Sequence, residues 1–207
     1  MGRPPAATVL AVLVIGAWFS GAITSTATLQ SGELSPSAAP AVANSGDIGL
    51  GEATQGPVPQ AEPTWIAIGP DILGRTLLNP DGIRAVDGAV LPTDDRPVFR
   101  TDSNKPGTDS PGTSFIVGHN YASAAGDFVP FSTLERVALG HSVFVGTPNG
   151  TLVYAVEQVM RVPKDQLRSR TDLLENVPGR LILETCDTTV NGKDTTDNLV
   201  VITRLVT

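Results

Sequence analysis

The chain has 207 residues, 41% of them hydrophobic and 17% charged, so it can form one ordinary domain with additional segments. Its formal net charge of −7, without any cluster of Lys and Arg, argues against binding to nucleic acid, because phosphate contacts need clustered cations. The single cysteine excludes an intramolecular disulfide and a Cys-rich metal site, so it must be explained by packing or by reactivity.

The N-terminal segment, residues 1–30, has the layout of an export signal. An uncharged apolar stretch of about 18 residues, Ala6–Ile23, follows Arg3. This length is short for a membrane span and long for the apolar part of a cleaved signal. Two interpretations remain open: a signal anchor that forms a single transmembrane helix, and a signal peptide cleaved near the small residues 25–27. Both predict that the rest of the chain lies outside the cytoplasm, either on the cell membrane or exported.

The next segment, residues 31–62, is rich in Ser, Ala, Gly and Pro and contains neither Lys nor Arg. Its few large apolar side chains cannot bury enough surface to offset the entropy lost on ordering. We expect a flexible linker, which lets a folded domain of residues 63–207 reach away from the membrane.

The folded domain is predicted to be mostly β, because short apolar runs rich in β-branched residues alternate with turns, and the chain holds 21 Gly and 17 Pro. Asn149-Gly150 predicts a hairpin, and helices are expected at Phe131–Leu139 and Asp165–Glu175. This pattern is typical of an antiparallel barrel or sandwich. The predicted strands are Trp65–Ile68, Ile72–Leu78, Ser114–His119, His141–Thr147, Thr151–Val162, Arg180–Cys186 and Asn198–Val206.

Two residues at the ends of predicted strands could carry chemistry. Cys186 ends an apolar strand and precedes a polar loop, where a substrate can reach a thiol, although unpaired cysteines are often simply buried. His119 also ends an apolar strand, after Gly118, and could be the base of a thiol nucleophile or a histidine held by hydrogen bonds within the fold. The second histidine, His141, is at the start of a strand after a helix, and we expect a structural role for it.

The segments around these residues resemble the sortases, the cell-surface cysteine transpeptidases of Gram-positive bacteria. SFIVGHN, which contains His119, and LILETCD, which contains Cys186, are similar to the catalytic segments of that family and occur in the same order. The other landmarks are the WIAI strand, the F-x-x-L turn from Phe131 to Leu134, the GHSVFV strand, where the family usually has an acid in place of His141, the Pro163-Lys164-Asp165 element and the closing DNLVVITRLV strand. The last two are most similar to the actinobacterial class labelled F.

The resemblance implies an eight-stranded closed β-barrel with one or two short helices, preceded by the hydrophobic helix and the linker. It implies that Cys186 attacks the Thr carbonyl of an LPXTG-like sorting signal and forms an acyl-enzyme, with His119 as acid and base. An amine from a cell-wall precursor or a pilin then resolves the thioester. The expected partners are therefore proteins with such a signal, the amine acceptor and the membrane, with no nucleic acid, metal or other cofactor.

One family feature is missing from this sequence. Sortases carry an arginine just before the last strand, whereas residues 195–198 here read Thr-Thr-Asp-Asn. Arg204 is a poor substitute. If the strands that contain Cys186 and Arg204 pair antiparallel, six residues at ~3.3 Å each put Arg204 about 20 Å from the thiol.

Four other residues could replace the arginine. Asn198 or Thr196 could donate a hydrogen bond to the oxyanion, and Arg168 or Arg170 could approach from the loop expected to border the groove. If none does, the chain is a sortase-like barrel without turnover that acts as a cell-surface binding or scaffolding module. A further alternative is an unrelated exported β-domain with a buried thiol.

Overall fold

The computed structural model describes residues 52–86, 90–121, 127–188 and 194–206, which fall in one compact unit. The strands of these ranges, in chain order, are β1 (Trp65–Ile68), β2 (Leu73–Leu77), β3 (Asn79–Ile83), β4 (Val98–Arg100), β5 (Ser114–Gly118), β6 (Ser142–Thr147), β7 (Gly150–Pro163), β8 (Arg180–Thr188) and β9 (Asp194–Leu205). Helical structure there comprises two 3-10 helices, Pro130–Arg136 and Leu167–Ser169, and the short helix α1 (Thr171–Leu174). The described chain is thus mostly β, as the sequence predicts.

The strands form one sheet in the order β2-β1-β6-β7-β9-β8-β5-β4-β3. Its two edge strands, β2 and β3, are separated by the single residue Leu78, whose N–H donates to the Thr64 carbonyl at 3.0 Å. The next N–H, that of Asn79, donates to the Pro97 carbonyl at 2.8 Å. Because one continuous segment joins both edges, the sheet curls into a nearly closed barrel.

Two sequence expectations about the sheet are corrected. The described residues form nine strands, whereas the resemblance implies eight; β3 and β4 are the two that the sequence does not predict. Pro80 and Gly82 within β3 disfavour a strand, and β4 has only three residues, so neither gives a strand signal in the sequence. The sheet is also mixed rather than antiparallel, since β3 pairs with β4 and β5 pairs with β8 in parallel.

The helical segments are shorter than predicted. The helix expected at Phe131–Leu139 is the 3-10 helix that ends at Arg136. The segment expected at Asp165–Glu175 divides into the second 3-10 helix and α1. The predicted N-terminal helix lies outside the described residues. Within the described part of the chain, no helix has the length and apolar character needed to cross a membrane.

Residues 54–61, which the sequence analysis assigns to the linker, contact the domain. The Thr54 N–H donates to the Thr151 carbonyl at 3.0 Å, and the Ala61 N–H donates to the Pro106 carbonyl at 3.1 Å. Between them Val58 is only 1% exposed and joins the main core. The division of the chain at residue 62 remains a prediction, but packed structure begins before it. One buried apolar side chain and hydrogen bonds of its backbone to backbone and side-chain groups of the domain hold this segment, and its average composition does not reveal them.

The core lies inside the barrel, and a second apolar cluster lies on the outer face of β5, β8 and β9. Leu181 and Leu183 of β8 face the inner core, whereas Ile182 belongs to the outer cluster with Phe115 and Val200. Strand β8 is therefore buried on both faces, which explains its nearly continuous apolar sequence. The outer cluster forms the floor of the site described below.

Candidate active site

The parallel pairing of β5 and β8 brings the two predicted chemical residues together. Gly118, the last residue of β5, is in register with Thr185 of β8. His119 and Cys186 follow them directly, so they lie side by side near the same end of two neighbouring strands, whose backbones are about 4.8 Å apart. The sequence predicts that the strand ends at Cys186, but β8 continues to Thr188, which pairs with Asp194 of β9. The Thr185 hydroxyl donates to the Gly118 carbonyl at 2.8 Å and holds this register immediately before both residues.

The packing at the end of β5 requires a residue without a side chain at position 118. A Cβ atom at this position would come within 2.8 Å of the Phe131 ring, which is fully buried under β5. The 3-10 helix that carries Phe131 can therefore pack directly below the residue that precedes His119. This glycine is evident in the sequence, but the reason for it is a contact with a distant segment.

Asn120 links the histidine side of the site to the cysteine side. This residue is only 5% exposed, and its Nδ2 donates to the Cys186 carbonyl at 2.9 Å and to the Thr188 hydroxyl at 3.2 Å. The backbones that carry the imidazole and the thiol are thus tied together by one side-chain amide. Sequence reasoning missed Asn120, whose only signal was its place directly after His119.

His119 and Cys186 line the same cavity, which has a volume of about 650 Å³ and lies on the outer face of the barrel. Its floor is the apolar surface of Phe115, Ile182 and Val200. Its walls come from the segment 167–174 and from residues 90–92. A mostly apolar cavity of this size beside a half-buried thiol can hold a segment of peptide.

The His119 ring is oriented by two contacts. Its Nε2–H donates to the Pro92 carbonyl at 3.0 Å, and its centroid lies 5.3 Å from that of Tyr121. The Tyr121 hydroxyl in turn bonds to the carboxylate of Asp95. In a neutral imidazole whose Nε2 carries the proton, the lone pair is on Nδ1, which can accept a proton.

Two of the four candidates for the missing arginine line the cavity. Asn198 of β9 is paired directly with Cys186 of β8, and its side chain faces the cavity. Arg168 also lines it and forms no hydrogen bond or ion pair with the described residues. Its cationic group is therefore available to a ligand.

The other two candidates lie away from the cavity. Arg170 forms a two-point ion pair with Asp172, at 2.8 and 2.7 Å, and the Thr196 hydroxyl donates to Asp197 at 3.2 Å. Neither Arg170 nor Thr196 is among the residues that line the cavity. Arg204 is paired with Arg180 at the opposite end of β8, as the strand argument predicted.

Glu184 is a second residue in the cavity that sequence reasoning missed. It lies two positions before Cys186 on the same face of β8, and Asn198 Nδ2 donates to its Oε1 at 2.9 Å. Burial raises the pKa of Glu184, and Arg100 and the hydrogen bond from Asn198 oppose this rise. The period of a strand gives the missed signal, because residue i−2 shares the face of a residue at position i.

A charged network supports the same end of the barrel from behind the thiol. Arg161 of β7 donates from Nε to the buried Asp187 at 2.7 Å and from Nη2 to Glu135 at 2.9 Å. Burial and the nearby Asp187 raise the pKa of Glu135, while the hydrogen bond to Asp187 raises that of Arg161. In the described ranges, no group of three His, Cys, Asp or Glu side chains could hold a metal ion.

Fold and site together define a β-barrel with a thiol and an imidazole at adjoining strand ends beside one cavity. Family models and curated protein sequences give no match to this chain. Several solved structures are similar to this chain. Sortase C-1 from Actinomyces oris is 23% identical, with a TM-score of 0.50 over 69% of this chain and 73% of that one. Sortase C1 from Streptococcus suis is 18% identical, with a TM-score of 0.52 over 72% of this chain and 74% of that one. Sortase A from Listeria monocytogenes is 16% identical, with a TM-score of 0.51 over 71% and 89%.

These similarities show that the chain has the sortase fold. The matched structures are sortases A and C, so the resemblance to class F stays a prediction.

Proposed function

We propose that this protein is a sortase-type cysteine transpeptidase, with Cys186 as nucleophile and His119 as acid and base. The observation that carries the proposal is the parallel register of Gly118 with Thr185, which sets the thiol and the imidazole side by side at the cavity. The sortase fold and the motifs around both residues support it. A lone thiol and one of only two histidines would not be expected at adjoining strand ends by chance.

In the first half-reaction Cys186 Sγ attacks the carbonyl carbon of the Thr of an LPXTG-like signal, and its proton passes to His119. The tetrahedral intermediate collapses, the carbon–nitrogen bond breaks, and His119 donates the proton to the departing amine. This leaves a thioester on Cys186. For His119 to serve the substrate from Nε2, the hydrogen bond to the Pro92 carbonyl must be released.

In the second half-reaction an amine takes the place of the departed fragment. His119 accepts a proton from the amine as its nitrogen attacks the thioester carbonyl, and the Cys186 thiolate leaves and recovers that proton. The product is a new amide bond. We propose an amine of a cell-wall precursor or of a pilin as the acceptor and an LPXTG-like signal as the donor.

The oxyanion of each tetrahedral intermediate needs a donor in place of the missing arginine. We assign this role to the Asn198 amide, because Asn198 is paired with Cys186 across β8 and β9 and faces the cavity. Arg168 is the alternative, since it lines the cavity without a partner among the described residues. Side-chain amides and guanidinium groups both stabilise oxyanions in enzymes.

We also propose that the protein works at the outer face of the cell membrane. The apolar stretch Ala6–Ile23 would serve as a single-pass anchor, or as a cleaved signal in an exported protein. A linker between the anchor and the domain would hold the site where translocated substrates and wall precursors appear. Within the family we place it with the class F sortases, on the residues of its last strand.

A second candidate function, a binding or scaffolding module without turnover, is favoured by two observations. Residues 195–198 contain no arginine, and the Nε2–H of His119 is already engaged by the Pro92 carbonyl. Such a module would bind sorting signals in the same cavity without forming a thioester.

Intact-mass spectrometry separates the two functions. The full-length chain in detergent is incubated with LPXTG peptides of varied X and with triglycine as the amine. We expect a thioester adduct on the protein and a ligated peptide product. Cys186→Ala should abolish both, and His119→Ala should slow acylation about 100-fold or more. His141→Ala is the matched control and should retain the activity. A thiol that alkylates readily but forms no adduct with any peptide would favour the binding module.

A further inference from the structure

The backbone of β8 leaves the regular sheet at the residue that carries the thiol. On one side, the last residue pair between β5 and β8 is Gly118 with Thr185, one position before Cys186. On the other side, the pairing of β8 with β9 shifts its register between Cys186 and Thr188. Regular ladder hydrogen bonds therefore hold the strand up to the nucleophile but not beyond it. Side-chain contacts take over from the ladder at this point.

Asn120 makes the contact that reaches the nucleophile residue itself. Its Nδ2 donates to the Cys186 carbonyl at 2.9 Å, on the side of β8 where β5 has ended. The amide thus takes the role that a backbone N–H of a longer β5 would have. The same nitrogen donates to the Thr188 hydroxyl at 3.2 Å and to Glu135 Oε1 at 3.4 Å. These further contacts fix the orientation of the amide.

Asp187 anchors the same part of β8 through a second set of contacts. This buried carboxylate accepts hydrogen bonds from Arg161 Nε at 2.7 Å and from the Thr195 hydroxyl at 2.9 Å. Arg161 also donates to Glu135, which contacts Asn120. The two sets of contacts therefore meet at Glu135. Within this network, Asn120 is the side chain that bonds to the backbone of the nucleophile.

We propose that Asn120 is a positioning residue for transpeptidation: its amide fixes the backbone of Cys186 relative to His119 and so keeps the thiol aligned with the imidazole. This inference rests on the proposed transpeptidase function and deepens it by naming a residue that acts through the nucleophile. Asn120 follows His119 directly in the chain, so one residue joins the backbones of both reacting groups. It is not among the residues that line the cavity, which separates its role from that of a group that touches the substrate.

The physical basis is the sensitivity of proton transfer to geometry. In both half-reactions a proton passes between Cys186 Sγ and the His119 ring, and a misplacement of about 1 Å can cost about 100-fold in rate. Without the amide of Asn120, the backbone at Cys186 loses a contact that holds it in place. The floor and walls of the cavity do not include Asn120, so peptide binding does not depend on it directly. We therefore expect its loss to lower the rate of acylation and not the affinity for the peptide.

The test measures single-turnover acylation on the full-length chain in detergent. Asn120→Ala removes the amide, and Asn120→Leu removes it while keeping most of the side-chain volume, so that one variant serves if the other does not fold. Thr188→Val is the matched control, because it removes the hydroxyl acceptor of Asn120 and leaves the hydrogen bond to the Cys186 carbonyl. Thioester formation is followed by intact-mass spectrometry over a range of concentrations of LPXTG peptides with varied X. Urea denaturation verifies that each variant is folded.

In both Asn120 variants the maximal rate constant of acylation should fall about 10- to 100-fold, while the half-saturating peptide concentration changes by less than about twofold. The factor should be the same for every peptide, because the effect acts through the nucleophile of the enzyme. Thr188→Val should keep the wild-type rate constant.

A folded Asn120 variant that acylates at the wild-type rate would overturn the positioning role and leave the transpeptidase intact. A loss of affinity alone, or a factor that varies with the peptide, would assign Asn120 to substrate binding and would also overturn it. If the wild type forms no thioester with any peptide, the proposed function fails, and the positioning role fails with it.

Discussion

Two charged side chains near the opposite ends of β8, those of Arg180 and Glu184, differ in how many hydrogen bonds they form within the protein. Arg180, at the start of the strand, is only 7% exposed, and its guanidinium donates four hydrogen bonds. These are the Thr113 hydroxyl at 2.8 Å and the carbonyls of Asp172, Leu173 and Glu175 at 2.8, 3.1 and 2.6 Å. Glu184, four residues later, has one hydrogen bond and no ion pair within the described structure.

The difference separates a charge that holds one wall of the cavity in place from a charge that faces into the cavity. Arg180 binds the carbonyls of α1 and of the residue after it, and so it fixes the segment that forms one wall of the cavity. Glu184 lies on the cavity floor two residues before Cys186, and its carboxyl group accepts a hydrogen bond from Asn198.

The largest expected effect is a loss of stability when Arg180, at the start of β8, is replaced. Arg180→Met keeps the apolar stem but removes the four hydrogen bonds that the guanidinium donates to the Thr113 hydroxyl and to three backbone carbonyls. We expect the free energy of unfolding, measured by urea denaturation, to fall by about 2–4 kcal/mol. Arg204→Met is the matched control on the paired strand, because Arg204 contacts the exposed Glu157 and should cost at most about 0.5 kcal/mol. Equal losses in the two variants would contradict a special role for Arg180.

The next largest effect is at the other end of β8, beside Cys186, and concerns turnover. Asn198→Ala removes the amide that is paired with Cys186, and kcat for acylation should fall about 10- to 100-fold with little change in KM. Thr196→Ala, which changes a hydroxyl that does not line the cavity, should keep wild-type kcat. If Arg168→Ala lowers kcat and Asn198→Ala does not, the oxyanion donor is the arginine.

The smallest effect is on the pH dependence of stability. Because burial raises the pKa of Glu184 in the folded chain, the folded state holds this proton more tightly than the unfolded state does. The contribution of Glu184 to stability should therefore fall as the pH rises above 4.5, the ordinary pKa of a Glu side chain. Glu184→Gln has no such proton, so its unfolding free energy relative to wild type should increase as the pH rises above 4.5. A constant or decreasing difference in urea denaturation would contradict this.

The sequence by itself predicts the β-rich fold and the strands that carry the candidate site. Short apolar runs between turn residues indicate strands whatever their partners are, and the hairpin at Asn149-Gly150 follows from local backbone preference. Both chemical residues could be selected because they end such runs. The extra strands β3 and β4 could not be predicted, because pairing with the barrel outweighs the weak strand preference of their residues.

Only the tertiary structure decides which of these residues meet. The parallel register of β5 with β8 places His119 beside Cys186, and the pairing of β8 with β9 places Asn198 opposite the thiol and Arg204 at the far end. The hydrogen bonds of Asn120 and Glu184 likewise join segments that are distant in the sequence. Local preferences act over a few residues, whereas register depends on packing between segments far apart in the chain. For that reason the sequence determines the strands and the candidate chemistry, and the folded barrel determines the site.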